Sequence, residues 1–177
     1  MAYLTYADLS DLRKSEGFVK LAESLRKSTT ASAEKKIFLS HKHDEKKLVE
    51  ETEAFFRKIG VNIYVDWRDT GMPPTTNPET AILLKKQIRA SSKFLVLATK
   101  QATTSNWVSW ELGFADGVRN DRDIALLPIC SDAGTWTDRE YFGAYNRIEK
   151  SDKGNWCVFS PSNEFVAYLK DWLKEGK

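Results

Sequence analysis

Two patterns of hydrophobic residues alternate along this chain. Short unbroken apolar runs occur at Ile37-Phe38-Leu39-Ser40, Val61-Asn62-Ile63-Tyr64-Val65, Phe94-Leu95-Val96-Leu97-Ala98, Ile124-Ala125-Leu126-Leu127-Pro128-Ile129-Cys130 and Trp156-Cys157-Val158-Phe159. Runs of four to eight such residues predict strands. Between them, apolar residues recur three or four apart. Leu48, Thr52, Phe55, Phe56 and Ile59 mark one helix, with Gly60 placed to end it. Asn77 and Pro78 supply the cap and first position of another, with Ile82, Leu83, Leu84 and Ile88 on its apolar side. Ser105 caps a third. A last helix is expected to start near Ser160-Pro161 and to carry Phe165, Leu169 and Leu173. Residues 131–154, with Gly134, Gly143 and Gly154, read as irregular.

Continuous apolar strands separated by helices predict an α/β fold with a parallel sheet covered on both faces. Ahead of it, residues 5–27 carry Leu9, Leu12, Phe18, Leu21 and Leu25 on a rough helical face weakened by Gly17. Ser28-Thr29-Thr30-Ala31-Ser32-Ala33 reads as a linker. The expected organisation is an N-terminal helical extension, 1–34, and a main domain, 35–177.

Ligands of such sheets bind beyond the carboxyl ends of the strands. Residues 40–44, 66–69, 99–107 and the turn after Cys130 all fall at that edge. The helix after Ser105 begins there too. At about 100° per residue, Trp107, Trp110, Phe114, Ala115 and Val118 form an apolar stripe, and Glu111 projects from its middle. A carboxylate in that place is costly to bury unless something pairs with it. Either it reaches past the stripe to an amide or a lysine, or it serves a site.

Composition narrows the classes. The 177 residues suit one domain with an appendage. Hydrophobic residues make up 41%, enough for a core. A net charge of +2, from 27 basic and 25 acidic residues, gives no basic patch for nucleic acid. No apolar run approaches the roughly 18 residues that span a bilayer, and the N-terminus lacks a signal-peptide pattern. Cys130 and Cys157 lie within strand-like runs and read as buried free thiols. A cytoplasmic protein is expected.

Familiar chemistries are missing. The first strand ends in Ser40-His41-Lys42-His43, not in a phosphate-cradling glycine loop, and no Gly-x-Ser-x-Gly elbow occurs. His41 and His43 stand beside Asp44 with no cysteine at ligand spacing, which argues against a metal site. The two histidines are either solvated or line the crevice. Asp66-Trp67-Arg68-Asp69 is either a hydrated turn or places Trp67 to stack on a flat ligand ring. Trp107 is either a core anchor or a ligand contact.

Taken in order, these segments resemble a TIR (Toll/interleukin-1 receptor) domain of the bacterial, NAD-consuming kind. Lys36-Ile37-Phe38-Leu39-Ser40-His41 resembles the family's first strand. Tyr64-Val65-Asp66-Trp67-Arg68-Asp69 resembles the end of the second and the start of the BB loop. Glu79-Thr80 with Ile88-Arg89-Ala90-Ser91-Ser92-Lys93-Phe94 resembles the next helix and strand. Trp107-Val108-Ser109-Trp110-Glu111-Leu112-Gly113 matches the Trp-x-x-x-Glu motif. The resemblance covers residue 35 to about 175. It departs from the common pattern at Met72-Pro73-Pro74-Thr75-Thr76-Asn77-Pro78, where a glycine-containing turn is more usual.

The resemblance implies a flavodoxin-like three-layer fold with a central five-stranded parallel sheet. It implies Glu111 as the residue essential for splitting the nicotinamide–ribose bond of NAD+, which is substrate and not cofactor. That cleavage develops positive charge on the ribose, as in other glycosidic cleavages, and a nearby carboxylate stabilises it. Nicotinamide leaves readily, so no general acid is required. Trp107 is implied beside the ribose. Ser40, His41 and Asp44 would border the crevice from the first loop, and Asp66, Trp67 and Arg68 from the second. Family members self-associate through the BB loop, here about 66–78. Bacterial members serve antiphage defence of the Thoeris type, making cyclic ADP-ribose isomers that switch on a partner effector.

Two other classes stay open on sequence. One is a non-catalytic TIR–TIR adaptor, which has no need of the carboxylate. The other is a nucleoside deoxyribosyltransferase-like enzyme, which would move a base between deoxyriboses. A receiver domain would need a phosphorylatable Asp after the third strand, where Ala98-Thr99-Lys100 stands. The product, linear or cyclic, is not legible.

Overall fold

A computed structural model describes residues 2–14, 37–61, 63–65, 77–131, 136 and 140–175. Within them, strands β1 (Leu4–Thr5), β2 (Ile37–Ser40), β3 (Ile63–Tyr64), β4 (Lys93–Ala98), β5 (Ile124–Cys130), β6 (Asn146–Lys150), β7 (Trp156–Phe159) and β8 (Phe165–Tyr168) form one sheet. The helices are α1 (Tyr6–Lys14), α2 (Lys46–Lys58), α3 (Pro78–Ala90), α4 (Asn106–Val118) and α5 (Leu169–Lys174). The strand order is β3-β2-β4-β5-β6-β7-β8, with β1 also pairing β5. Pairings from β3 to β6 are parallel. Those of β6 with β7 and β7 with β8 are antiparallel.

Side chains alternate across the sheet because a strand has a period of two. Ile37, Leu39, Leu95, Leu97, Ala125, Leu127 and Ile129 join Leu9 of α1, Phe56 of α2 and Trp172 of α5 in one core. Phe38, Phe94, Val96, Ile124 and Leu126 join Leu84 and Ile88 of α3 and Val108, Leu112 and Ala115 of α4 in the other. The result is a mostly parallel sheet between two helical layers. No helix among the described residues is long and apolar enough to cross a membrane.

Local signals act as expected at several ends. Gly60 closes α2 with φ of 83°, its N–H bonded to the Arg57 carbonyl at 2.9 Å. Asn77 accepts from the Thr80 amide while Thr80 answers with its hydroxyl, a reciprocal cap with Pro78 at the first turn.

Three expectations change. Five strands, β3, β2, β4, β5 and β6, run parallel through the sheet, but β1, β7 and β8 bring it to eight among the described residues, and two of its pairings are antiparallel. Asn146–Lys150, within the stretch expected to be irregular, is a strand paired to both β5 and β7. Its polarity hides it. Arg147 and Glu149 pair at 3.0 Å on one side, and Ile148 alone supplies its apolar core contact. The helix expected from Ser160-Pro161 begins only at Leu169. Ser160 and Pro161 instead open a hairpin turn, in which Asn163 adopts φ of 63° and its amide bonds the Ser160 carbonyl. Asn tolerates that left-handed geometry better than most residues, so Phe165 turns back as a strand beside Phe159.

The N-terminal segment belongs to the same folded body. Leu4 and Thr5 pair β5 at Ile129 and Cys130, and Ala2 exchanges two backbone hydrogen bonds with Lys150. Leu4 and Leu9 are fully buried. Residues 2–5 therefore tie β5 to β6 at their carboxyl ends.

Candidate functional site

Ser40 ends β2 and shares the parity of Phe38, so it faces the layer of α3 and α4. Opposite it, α4 starts at the carboxyl edge of β4. Its N-cap is Ser105, whose hydroxyl accepts the Val108 amide at 3.4 Å. Val108, Glu111, Leu112 and Ala115 lie within about 100° of helix surface, and all are buried. Glu111, at 6% exposure, sits over Ser40, at 1%. The Ser40 hydroxyl donates to Glu111 Oε2 at 2.5 Å. That bond holds the carboxylate in one orientation.

The apolar stripe is corrected by this packing. Trp107 and Val118 are exposed, at 39% and 42%. Trp110 and Phe114 are half-buried on the flank facing α3, where Lys85 lies over both rings and Arg89 over Phe114. The helix points its seam between Val108 and Ala115 at the sheet, and Glu111 belongs to that seam. Burying the aromatic flank fully would have turned Glu111 away from Ser40.

Of the other expected site residues, His41 is buried, with Nδ1 3.0 Å from the Leu39 carbonyl. A carbonyl only accepts, so Nδ1 carries a proton. Asp44 points to solvent near Lys42 at 3.7 Å, away from the Ser40–Glu111 pair. Trp107 meets Trp110 edge-on, with ring centres 5.3 Å apart. Asp66, Trp67, Arg68 and most of the BB loop, 66–76, lie outside the described residues.

The same edge holds pairings that sequence reasoning missed. The Thr99 hydroxyl donates to Glu45 Oε2 at 2.9 Å. Burial pushes the Glu45 carboxyl above its ordinary range, opposed by Thr99 and by the charge of Lys42. The Trp136 indole N–H donates to the Ala98 carbonyl at 2.7 Å, and Tyr3 of the N-terminal segment tilts against its ring. Ser109 and Tyr141 share a hydrogen bond of 3.0 Å. The one available signal was positional: Glu45 and Thr99 stand just past the ends of two adjacent strands.

A cleft of about 950 Å³ lies at the opposite, amino edge, lined among others by Arg89, Lys93, Arg119 and Arg122. Its cations serve the framework. Arg119 donates to the carbonyls of Ile88, Ser91 and Ser92 around the end of α3, and Lys93 pairs with Asp123 at 2.5 Å. Size alone therefore does not mark the functional site.

The cysteines are free and buried. Burial, then the charge of Glu149, push the Cys130 thiol from 9.0 to about 11, so it is protonated at neutral pH and no nucleophile. The raised value has a stability consequence. Below the unfolded pKa both states hold the proton. Between about 9 and 11 only the folded state keeps it, so stability falls as pH rises through that window. Alkaline denaturation of wild type should be steeper there than for Cys130→Ala, measured by urea melts at pH 8, 9, 10 and 11. Equal slopes would exclude this thiol as the cause.

With this geometry in place, the chain can be set beside known proteins. The TIR domain family matches residues 37–156. The chain belongs to the TIR domain family. It is 24% identical over 149 residues to the "Probable 3' cyclic ADP-D-ribose synthase ThsB'" of Bacillus cereus (strain MSX-D12), covering 79% of this chain and 76% of that protein. It is 27% identical over 82 residues to the "Putative cyclic ADP-D-ribose synthase TIR2" of Cytobacillus dafuensis, covering 45% of this chain and 22% of that protein. The TIR match begins with β2 and ends with the first residue of β7. It thus spans both strand ends that border the Ser40–Glu111 pair, and leaves β1, α1 and β8 outside.

Proposed function

We propose that this TIR domain protein cleaves the nicotinamide–ribose bond of NAD+ and releases nicotinamide and a cyclic ADP-ribose-type product. The observation that carries the reading is the buried Glu111 carboxylate at the carboxyl edge of the sheet, held by the Ser40 hydroxyl at 2.5 Å. The names of the two relatives, both cyclic ADP-D-ribose synthases, supply the reaction class.

The chemistry follows from the charge. As the bond to nicotinamide breaks, its electron pair leaves with the nitrogen and positive charge grows on the ribose. Glu111 stabilises that charge in a site where water screens little. Ser40 orients the carboxylate. A nucleophilic atom of the remaining ADP-ribose then bonds the anomeric carbon and loses its proton to solvent, which closes the ring. Water in its place gives linear ADP-ribose. In this reading His41 borders the pocket floor, while Asp44 and Trp107 stand at its rim. Asp66, Trp67 and Arg68 complete it from the BB loop. Self-association through that loop, a cytoplasmic setting, a downstream effector that binds the product and a role in antiphage defence belong to the same reading.

Incubation with NAD+ followed by chromatography and mass detection tests it. Nicotinamide should appear with a product one water lighter than ADP-ribose. Base exchange between deoxynucleosides without nicotinamide release would favour the deoxyribosyltransferase reading instead.

A further inference from the structure

The Ser40–Glu111 pair joins the end of β2 to α4. One loop follows β2 and runs into α2, and another follows β4 and runs into α4. A second cross-link joins these two loops directly. The buried Thr99 hydroxyl donates to Glu45 Oε2 and accepts the Ala102 amide, both at 2.9 Å. Through the Ala102 bond Thr99 shapes the short turn Ala102–Thr104, which delivers Ser105 to its capping position. Glu45 is fixed at its own end. Its amide donates to the Lys42 carbonyl at 3.0 Å, and its carbonyl accepts the Val49 amide at 3.0 Å.

The links close a ring: from Ser40 along its loop to Glu45, across to Thr99, along through Ser105 to Glu111, and back to Ser40. A single hydrogen bond between the end of β2 and α4 leaves the loops that flank it free to pivot. Two bonds at separate points remove that freedom, and catalytic geometry tolerates little of it. We propose that Glu45 is a positioning residue for Glu111. With Thr99 it locks the loop that follows Ser40 and begins with His41 against the loop that leads into the Glu111 helix. The proposal rests on the NAD+-cleaving reading and adds to it a second carboxylate whose task is geometric.

The test is nicotinamide release by wild type, Glu111→Gln, Thr99→Val, Thr99→Ser, Glu45→Ala, Glu45→Gln and the Thr99→Val/Glu45→Ala double variant, with folding followed by circular dichroism. Thr99→Val and Glu45→Ala should each lower kcat by about tenfold or more, as a modest misplacement does, with KM within about twofold. The double variant should be no worse than Thr99→Val, because the Glu45 link is already gone from that variant. Thr99→Ser keeps the hydroxyl and Glu45→Gln keeps an acceptor, so both should recover most of kcat. Independently of activity, Glu45→Ala should speed amide exchange across 99–105, on the other loop. Unchanged exchange there overturns the proposal. So does kcat within about twofold of wild type for Thr99→Val or Glu45→Ala, or a failure of Ser and Gln to rescue. If instead wild type and Glu111→Gln release nicotinamide equally, the NAD+ reading itself fails. An inactive Glu111→Gln beside a normal Thr99→Val sinks only the positioning role.

Discussion

Glu111→Gln is expected to cut nicotinamide release from NAD+ by roughly 100- to 1,000-fold or more, the scale of losing one preorganised electrostatic contact to a developing charge. The substitution removes the negative charge and little else. Gln has nearly the same shape, and its side-chain oxygen still accepts the Ser40 hydroxyl that now reaches Glu111 at 2.5 Å. The seam of Val108, Leu112 and Ala115 around it is unchanged. The melting temperature should therefore stay close to wild type, or rise, since a desolvated charge has been removed. KM should change less than kcat, because the charge it stabilises exists mainly in the transition state. Equal rates for wild type and variant would refute the assignment. A variant that fails to fold would point to a structural role for the carboxylate, and Glu111→Asp would then separate charge from shape.

Trp172→Ala is expected to cost about 3–5 kcal/mol of stability, the range for deleting a buried aromatic. Trp172 is 2% exposed and belongs to the core that α1, α2 and α5 form with the sheet. Its indole N–H donates to the Arg122 carbonyl at 2.8 Å, and the Lys93 ammonium lies 4.7 Å from the ring centre. Removal opens a cavity, takes the indole donor from a carbonyl and strips the buried Lys93 of its ring, while its pair with Asp123 stays. Against a total stability of about 5–15 kcal/mol, that is a large fraction. Urea melts read it directly. Trp172→Phe, which keeps a ring and loses the N–H, should cost about 1–2 kcal/mol, nearer the value of one hydrogen bond. A loss below about 1 kcal/mol for the alanine variant would mean that α5 is not anchored through this side chain.

The strands β2, β4, β5 and β7 were legible because each is a continuous apolar run, and burial on both faces demands that pattern. Their parallel arrangement, and the carboxyl edge as the place for a site, followed from the helices between them. The ends of α2, α3 and α4 were legible at Gly60, Asn77-Pro78 and Ser105, because caps are local chemistry. The strands β6 and β8 were not. Asn146–Lys150 gains its place from Asn146 Nδ2 bonds to the Asp121 and Ile124 carbonyls and from the Arg147–Glu149 pair, partners distant or charged. Phe165–Tyr168 depends on a turn at Asn163 that composition reads equally well as a helix start.

By itself the sequence determined an α/β chain of the TIR kind and an acid out of pattern at position 111. Those depend on periodicity and on short motifs, which are properties of neighbours in the chain. Only the tertiary structure decided which side of α4 meets the sheet, that Ser40 answers Glu111, that Glu45 and Thr99 join the same two loops, and that the N-terminal strand closes onto β5. Each of these is a contact between residues tens of positions apart. Such contacts are set by how whole faces pack, and the chain's local pattern cannot encode their partners.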